Sequence, residues 1–281
     1  MIFTAFITLC ILFGSIGRIF MKKATAKRNA LVCSFFLELT QLVIALPLFW
    51  LYYQTPPTIL YSLLAGSFFS ISLIFYFASF THGEVSLLSP LRGLRGIFAL
   101  IYSLIWWHEA LSVGEVIGVL TIGIGILMLQ KASQFEKLIH FLLHKEALFM
   151  CASVALAVIS SYYDKRGVGE LGIYTHYLWT TFSSLMVLTL GMLIKYHRRT
   201  WSMVNSEIPW DAIIVGLVFS GAYVFHLLAL ELERVTIVNG LLAIGTLVTT
   251  LMAGKYLKES ITEKLPGTFL VMLGTFLMSL L

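Results

Sequence analysis

Charged residues set deep in apolar sequence carry most of the chemical information in this chain. Arg92 and Arg95 stand in Pro90-Leu91-Arg92-Gly93-Leu94-Arg95-Gly96, within an apolar run at 85–106. A helix starting at Val85 rises about 1.5 Å per residue, so Arg92 lies roughly 10 Å and Arg95 roughly 15 Å along it, near a bilayer centre. Three residues apart, they share a helix face. An arginine at that depth costs about 2.5 to 3.5 kcal/mol on insertion scales, and is kept where it meets a cavity or a partner. The chemistry on offer is recognition of an anion. Glu38 and Gln41 reach the same two depths in the second apolar run, so a Glu38–Arg92 pair is expected, either as a permanent bridge or as a switch broken by substrate or proton. If it is permanent, Arg95 is the free anion contact.

Other polar residues in apolar runs complete the candidate set. Trp179 and Tyr223 offer rings on which a ring-bearing or apolar substrate can stack, and Asn239 is an amide in lipid that meets substrate or a neighbouring helix. With Arg92, Arg95, Glu38 and Gln41 they make up the candidate substrate-binding residues. His82 and Glu84 stand at one turn and His226 near the opposite mouth, as candidates for gating or proton relay. His176 is expected to hydrogen-bond structurally, and Arg18, one turn from Lys22, to snorkel. No catalytic residue is expected, because H-E-x-x-H, G-x-S-x-G and P-loop patterns are missing and no nucleophile has a base beside it. Cys10, Cys33 and Cys151 have no metal-ligand spacing, so neither metal nor cofactor is expected.

The elements that position these residues follow from composition. With 59% hydrophobic and 12% charged residues and a mean hydropathy of +0.91, the chain lacks the polar surface of a water-soluble globule. Apolar runs of about 20 residues read as membrane helices, and the want of strict alternation rules out barrel strands. The start of the chain has no basic n-region, so it reads as a first helix and not a cleaved signal. The expected fold is all-α and polytopic, with ten transmembrane helices at 2–21, 31–53, 59–81, 85–106, 113–130, 147–163, 172–194, 212–230, 235–256 and 265–281. The segment 131–146 places Phe135, Leu138, Ile139 and Leu142 at helical spacing, which predicts an amphipathic linker helix in the membrane interface.

A shift of 150 positions superposes the two halves: Gly66 on Gly216, Phe69 on Phe219, Ser70 on Ser220, Phe75 on Phe225, Val85 on Val235, Leu91 on Leu241 and Glu109 on Glu259. One residue of slippage later, Gly118 and Gly125 match Gly267 and Gly274, small residues that let two helices approach closely. Domains are therefore expected at 1–130 and 147–281. Because five is odd, the repeats are inverted in the membrane, an alternating-access architecture. Loops on one face hold 13 Lys or Arg against three on the other. The positive-inside rule then places both termini outside the cytoplasm.

Three features resemble the ten-helix, EamA-type branch of the drug/metabolite transporter superfamily. Gly14-Ser15 precedes the basic end of helix one at Lys22-Lys23. An acidic turn occurs twice, as Trp107-His108-Glu109-Ala110-Leu111-Ser112 and as Leu257-Lys258-Glu259-Ser260-Ile261-Thr262, each before a glycine-bearing final helix. Val85-Ser86-Leu87-Leu88-Ser89-Pro90 resembles the start of the family's fourth helix. The resemblance implies secondary transport of small metabolites or drugs through a cavity between the halves, with helices five and ten at the periphery. It also implies cytoplasmic termini and a basic loop after helix two, against which Gln54-Thr55-Pro56-Pro57-Thr58 has no cation.

The function expected is secondary transport of a small organic solute, one bearing a carboxylate or phosphate, by alternating access across the cell (inner) membrane. Its partners are the solute, the bilayer and a coupling ion or proton, and not nucleic acid. A drug exporter is disfavoured because helix one has no acid and helix four contributes positive charge. The rival class is a membrane-embedded lipid-handling enzyme or accessory protein, which would not need the repeat.

Overall fold

The computed structural model describes residues 2–26, 28–51, 58–107, 112–129, 144–196 and 210–280, and every regular element among them is a helix. In chain order these are α1 (Ile2–Thr25), α2 (Ala30–Leu51), α3 (Leu60–His82), α4 (Val85–Leu88), a 3-10 turn (Ser89–Gly93), α5 (Leu94–Trp107) and α6 (Val113–Leu129). Then come α7 (Lys145–Leu171), α8 (Ile173–Tyr196), α9 (Trp210–Leu232), α10 (Val235–Leu242), α11 (Ile244–Leu257) and α12 (Leu265–Leu280). Among the described residues eight spans are long and apolar enough to cross a membrane, counting α4 to α5 and α10 to α11 as one broken span each. The chain is accordingly a multi-pass membrane protein. Two shorter apolar helices, α6 and α12, fall below full spanning length. The expectation of ten transmembrane helices thus meets eight candidate spans plus two shorter helices.

Large apolar side chains such as Val43, Leu120, Leu190 and Phe269 are left exposed on the outside of the bundle, as a lipid solvent allows. Inside, small residues set the helix spacing. A Cβ on Gly66 would lie 2.2 Å from the Thr180 carbonyl oxygen, and one on Gly216 would lie 2.9 Å from that of Leu37. Matched in the sequence repeat, these two glycines seat α3 on α8 and α9 on α2. The other main packing pairs are α1 on α9, α3 on α7, α2 on α8 and α6 on α12. At the last of these a Cβ on Gly125 would meet the Gly267 carbonyl oxygen at 2.8 Å, and one on Gly274 would meet that of Gly118 at 2.6 Å. The glycines read from sequence as packing positions are packing positions.

Two boundaries differ from the sequence expectation. The first helix runs to Thr25 and not Met21, because Lys22 turns inward and its Nζ donates to the Phe80 and Gly83 carbonyls at 2.7 and 2.8 Å. The sixth runs from Lys145 to Leu171, eight residues beyond Tyr163, and stops at Gly172, whose φ of 71° suits glycine. Within that extension Lys165 donates to the carbonyls of Leu230 and Glu233 at the end of α9, and Arg166 lies over the Tyr61 ring at 5.6 Å. Cations that read as a loop thus serve as helix-end partners. The linker residues Phe135, Leu138, Ile139 and Leu142, the loop at 54–57 and Glu109 lie outside the described residues.

Candidate functional site

The fourth span and the one made by α10 and α11, ninth in the order expected from the sequence, break at corresponding places. Ser89, Pro90 and Gly93 wind the fourth span into a 3-10 turn, and a Cβ on Gly93 would lie 2.0 Å from Val271 Cγ1. Proline and the tight approach explain why the helix cannot stay regular there. Ala243, 150 positions after Gly93, interrupts the ninth span.

Beside these breaks, a cavity of about 950 Å³, counting the space at its mouth, lies among α1, α2, α3, the fourth span, α7, α9 and α10. Its lining pairs up along the sequence. Phe69, Ser72, Leu73, Tyr76 and Arg92 are answered 150 positions later by Phe219, Ala222, Tyr223, His226 and Leu242. From α1 and α7, Cys10, Ile11, Gly14 and Arg18 are answered 143 positions later by Ser153, Val154, Ala157 and Ser161.

Three arginines reach this cavity. Arg92 Nη1 donates to the Tyr76 hydroxyl at 3.0 Å, and its guanidinium lies 5.2 Å from that ring's centroid. Arg95 Nη2 donates to Ser161 Oγ at 2.9 Å, while its Nε is buried without a partner. Arg18 was missed as a site residue by sequence reasoning. The expectation that it snorkels is wrong: it is 6% exposed, and donates through Nε to the same Tyr76 hydroxyl at 3.0 Å and through Nη1 to the Gly245 carbonyl at 3.2 Å and to Thr249 Oγ1. Its position near Lys22 and Lys23 suggested the interface, yet Gly245, with no side chain, leaves both space and a bare carbonyl for it.

Among the described residues the only acidic side chain lining the cavity is Asp164, also missed because Asp164-Lys165-Arg166 reads as a charged loop. Its Oδ1 accepts from the Tyr223 hydroxyl at 2.8 Å and lies 3.0 Å from His176 Nε2, while His176 Nδ1 lies 2.8 Å from Ser62 Oγ. His176 is fully buried in this structural network, as expected of it. Tyr223 lines the cavity with its ring stacked 5.8 Å from that of Phe69, and His226 lines it with both ring nitrogens unpartnered.

The remaining expected residues are dispersed. Gln41 lines the cavity, but Glu38 does not, and both Glu38 oxygens are buried without a hydrogen-bond partner. The expected Glu38–Arg92 pair is not made. Equal depth fixes only one coordinate, and Arg92 turns to Tyr76 instead. Trp179, edge-on to Phe182, and the buried Asn239 lie outside the cavity lining. Glu84 is at the basic face, where Lys264 Nζ pairs with its carboxylate and reaches Ser86 Oγ at 2.8 Å. Alongside, Glu259 of the second acidic turn accepts from the backbone N–H groups of Val85 and Ser86 at 3.0 and 2.7 Å. The side chain of His82 lies outside the described residues. Among the described residues no group of three or more His, Cys, Asp or Glu is placed to hold a metal ion.

The crystal structure of a protein 12% identical in sequence matches with a TM-score of 0.68, covering 99% of this chain and 96% of that one, a likeness of fold. No curated protein sequence matches the chain. Residues 1–130 match the model of the EamA-like transporter family, which belongs to the drug/metabolite transporter superfamily.

Proposed function

We propose that this protein is a secondary transporter of a small organic anion, bearing a carboxylate or phosphate, that works by alternating access across the cell (inner) membrane. The observation that carries the substrate class is the charge of the cavity lining: Arg18, Arg92 and Arg95 against Asp164. A buried excess of guanidinium groups is costly unless an anion shares the site, and planar paired donors suit carboxylate and phosphate oxygens. A lipid-handling enzyme has less support, since the serine of the buried Ser62–His176–Asp164 network does not line the cavity.

On this reading the chain holds ten membrane helices in two inverted halves, 1–130 and 147–281, joined by 131–146, with α6 and α12 as the short peripheral fifth and tenth. The paired lining of the cavity, the matched breaks at Gly93 and Ala243, and the matched glycines Gly66 and Gly216 support that symmetry. So do two lysine contacts: Lys22 binds the carbonyls of Phe80 and Gly83, and Lys165 those of residues 150 positions on, Leu230 and Glu233. Alternation then moves contacts such as Glu259 with Val85 and Ser86, and Lys264 with Glu84, which tie the two halves at the basic face.

The test is uptake by purified protein in liposomes, across labelled carboxylates, phosphate monoesters and zwitterionic amino acids. Saturable uptake of an anion, with Arg92→Gln and Arg95→Gln each lowering kcat/KM at least about tenfold, the worth of a charged hydrogen bond, is the expected result. Intact transport in both variants refutes the site, and chemical alteration of a lipid without solute movement refutes the transporter.

A further inference from the structure

Glu38 is the carboxyl that the anion site leaves unexplained. It sits midway along α2, is 1% exposed, and neither of its oxygens meets a hydrogen-bond donor. From α8 the Ser184 hydroxyl lies beside it outside hydrogen-bond geometry and is itself unpartnered. The ionisable groups near enough to feel its charge are phenols, Tyr177 from α8 and Tyr223 from α9, whose hydroxyls donate to the Gln41 carbonyl and to Asp164. From α1 and α3, Arg18 and Tyr76 are bound to each other, and among the described residues no cationic side chain interacts with Glu38. One turn along α2, Gln41 lines the cavity, and its Oε1 is buried without a partner.

An ionised carboxylate left in that setting, without a donor or a cation, is strongly disfavoured, whereas the un-ionised acid costs little. We propose that Glu38 is a proton-binding site, loaded in this conformation, which exchanges its proton with water in the cavity by way of Gln41. The step is a proton transfer alone: the Glu38 O–H bond breaks as a cavity water accepts the proton, and the reverse reloads it. Service as the coupling group of a secondary transporter rests on the function proposed above, but the proton site does not.

The measurement is therefore free of substrate: infrared spectra of the full-length protein in liposomes at pH 7, read for the C=O stretch of a buried un-ionised acid. The band is expected in the wild type, to shift on glutamate-13C labelling, to be lost in Glu38→Gln, and to shift again on transfer to D2O. Gln41→Leu is expected to slow that last shift while leaving the band in place. If the wild type lacks the band, Glu38 is ionised and the proposal fails. It also fails if replacing potassium by sodium at constant pH abolishes the band, which assigns the site to a metal cation. A band that never shifts in D2O means a locked structural proton and overturns the exchange. If Glu38→Gln does not fold, the isotope label still assigns the band to a glutamate, and among the described residues Glu38 is the one that is buried.

Discussion

Tyr76 shows how much hangs on single atoms in the cavity wall. Its phenol oxygen accepts from both Arg18 and Arg92, so removing it strands one buried and one half-buried guanidinium donor at once. Tyr76→Phe is expected to lower the stability of the anion-free protein by about 1 to 3 kcal/mol, the usual cost of an unsatisfied buried group, read as a drop in thermal midpoint. A transported anion, supplying oxygen to the same donors, should stabilise the variant more than the wild type. At this scale the sequence was readable wherever a polar residue stood alone in apolar surroundings, as Arg92, Arg95, Gln41, Tyr223 and His226 do. Arg18 and Asp164 were hidden by charged neighbours that made each look interfacial. Glu38, Trp179 and Asn239 were read from position along a helix without knowledge of azimuth, and position along the axis does not say which way a side chain turns.

Among the elements, the broken fourth span is held at its start by a residue from the other half. Glu259 spreads its two carboxylate oxygens over the N–H groups of Val85 and Ser86. Glu259→Gln keeps one acceptor and loses the charge, which should favour parting of the two turns by about 1.4 kcal/mol, or tenfold. Cys10 in the cavity is the natural reporter: with Cys33 and Cys151 replaced by serine, an anionic thiosulfonate applied to the basic face should label Cys10 faster in the variant by that factor. Unchanged labelling would show that these contacts do not govern access. The α6–α12 crossing has a different dependence, on size alone. Gly274→Leu drives a side chain into the Gly118 carbonyl and Ile122, and is expected to cost about 1 to 3 kcal/mol in thermal stability without altering substrate preference. That crossing was legible because two glycines seven apart in each half leave few other uses. The true end of α7 was not, since its terminal charges find partners only in the folded bundle.

For the molecule as a whole, sidedness is the open quantity that a simple experiment fixes. In the sequence, the segments assigned to one face carry 13 Lys or Arg against three on the other. An alkaline phosphatase fusion at the C-terminus should therefore be active, marking an extracytoplasmic end, and a fluorescent cytoplasmic reporter at the same place should be dark. The reverse outcome would put the chain in the orientation that its family resemblance implies. Either way the two lysine contacts lie at opposite faces, Lys22 on the ends of α3 and Lys165 on the end of α9, and both are made at once. For a carrier that has a consequence beyond symmetry: two doors that can be bolted together need never stand open together, so the membrane potential is not short-circuited while the cargo changes sides.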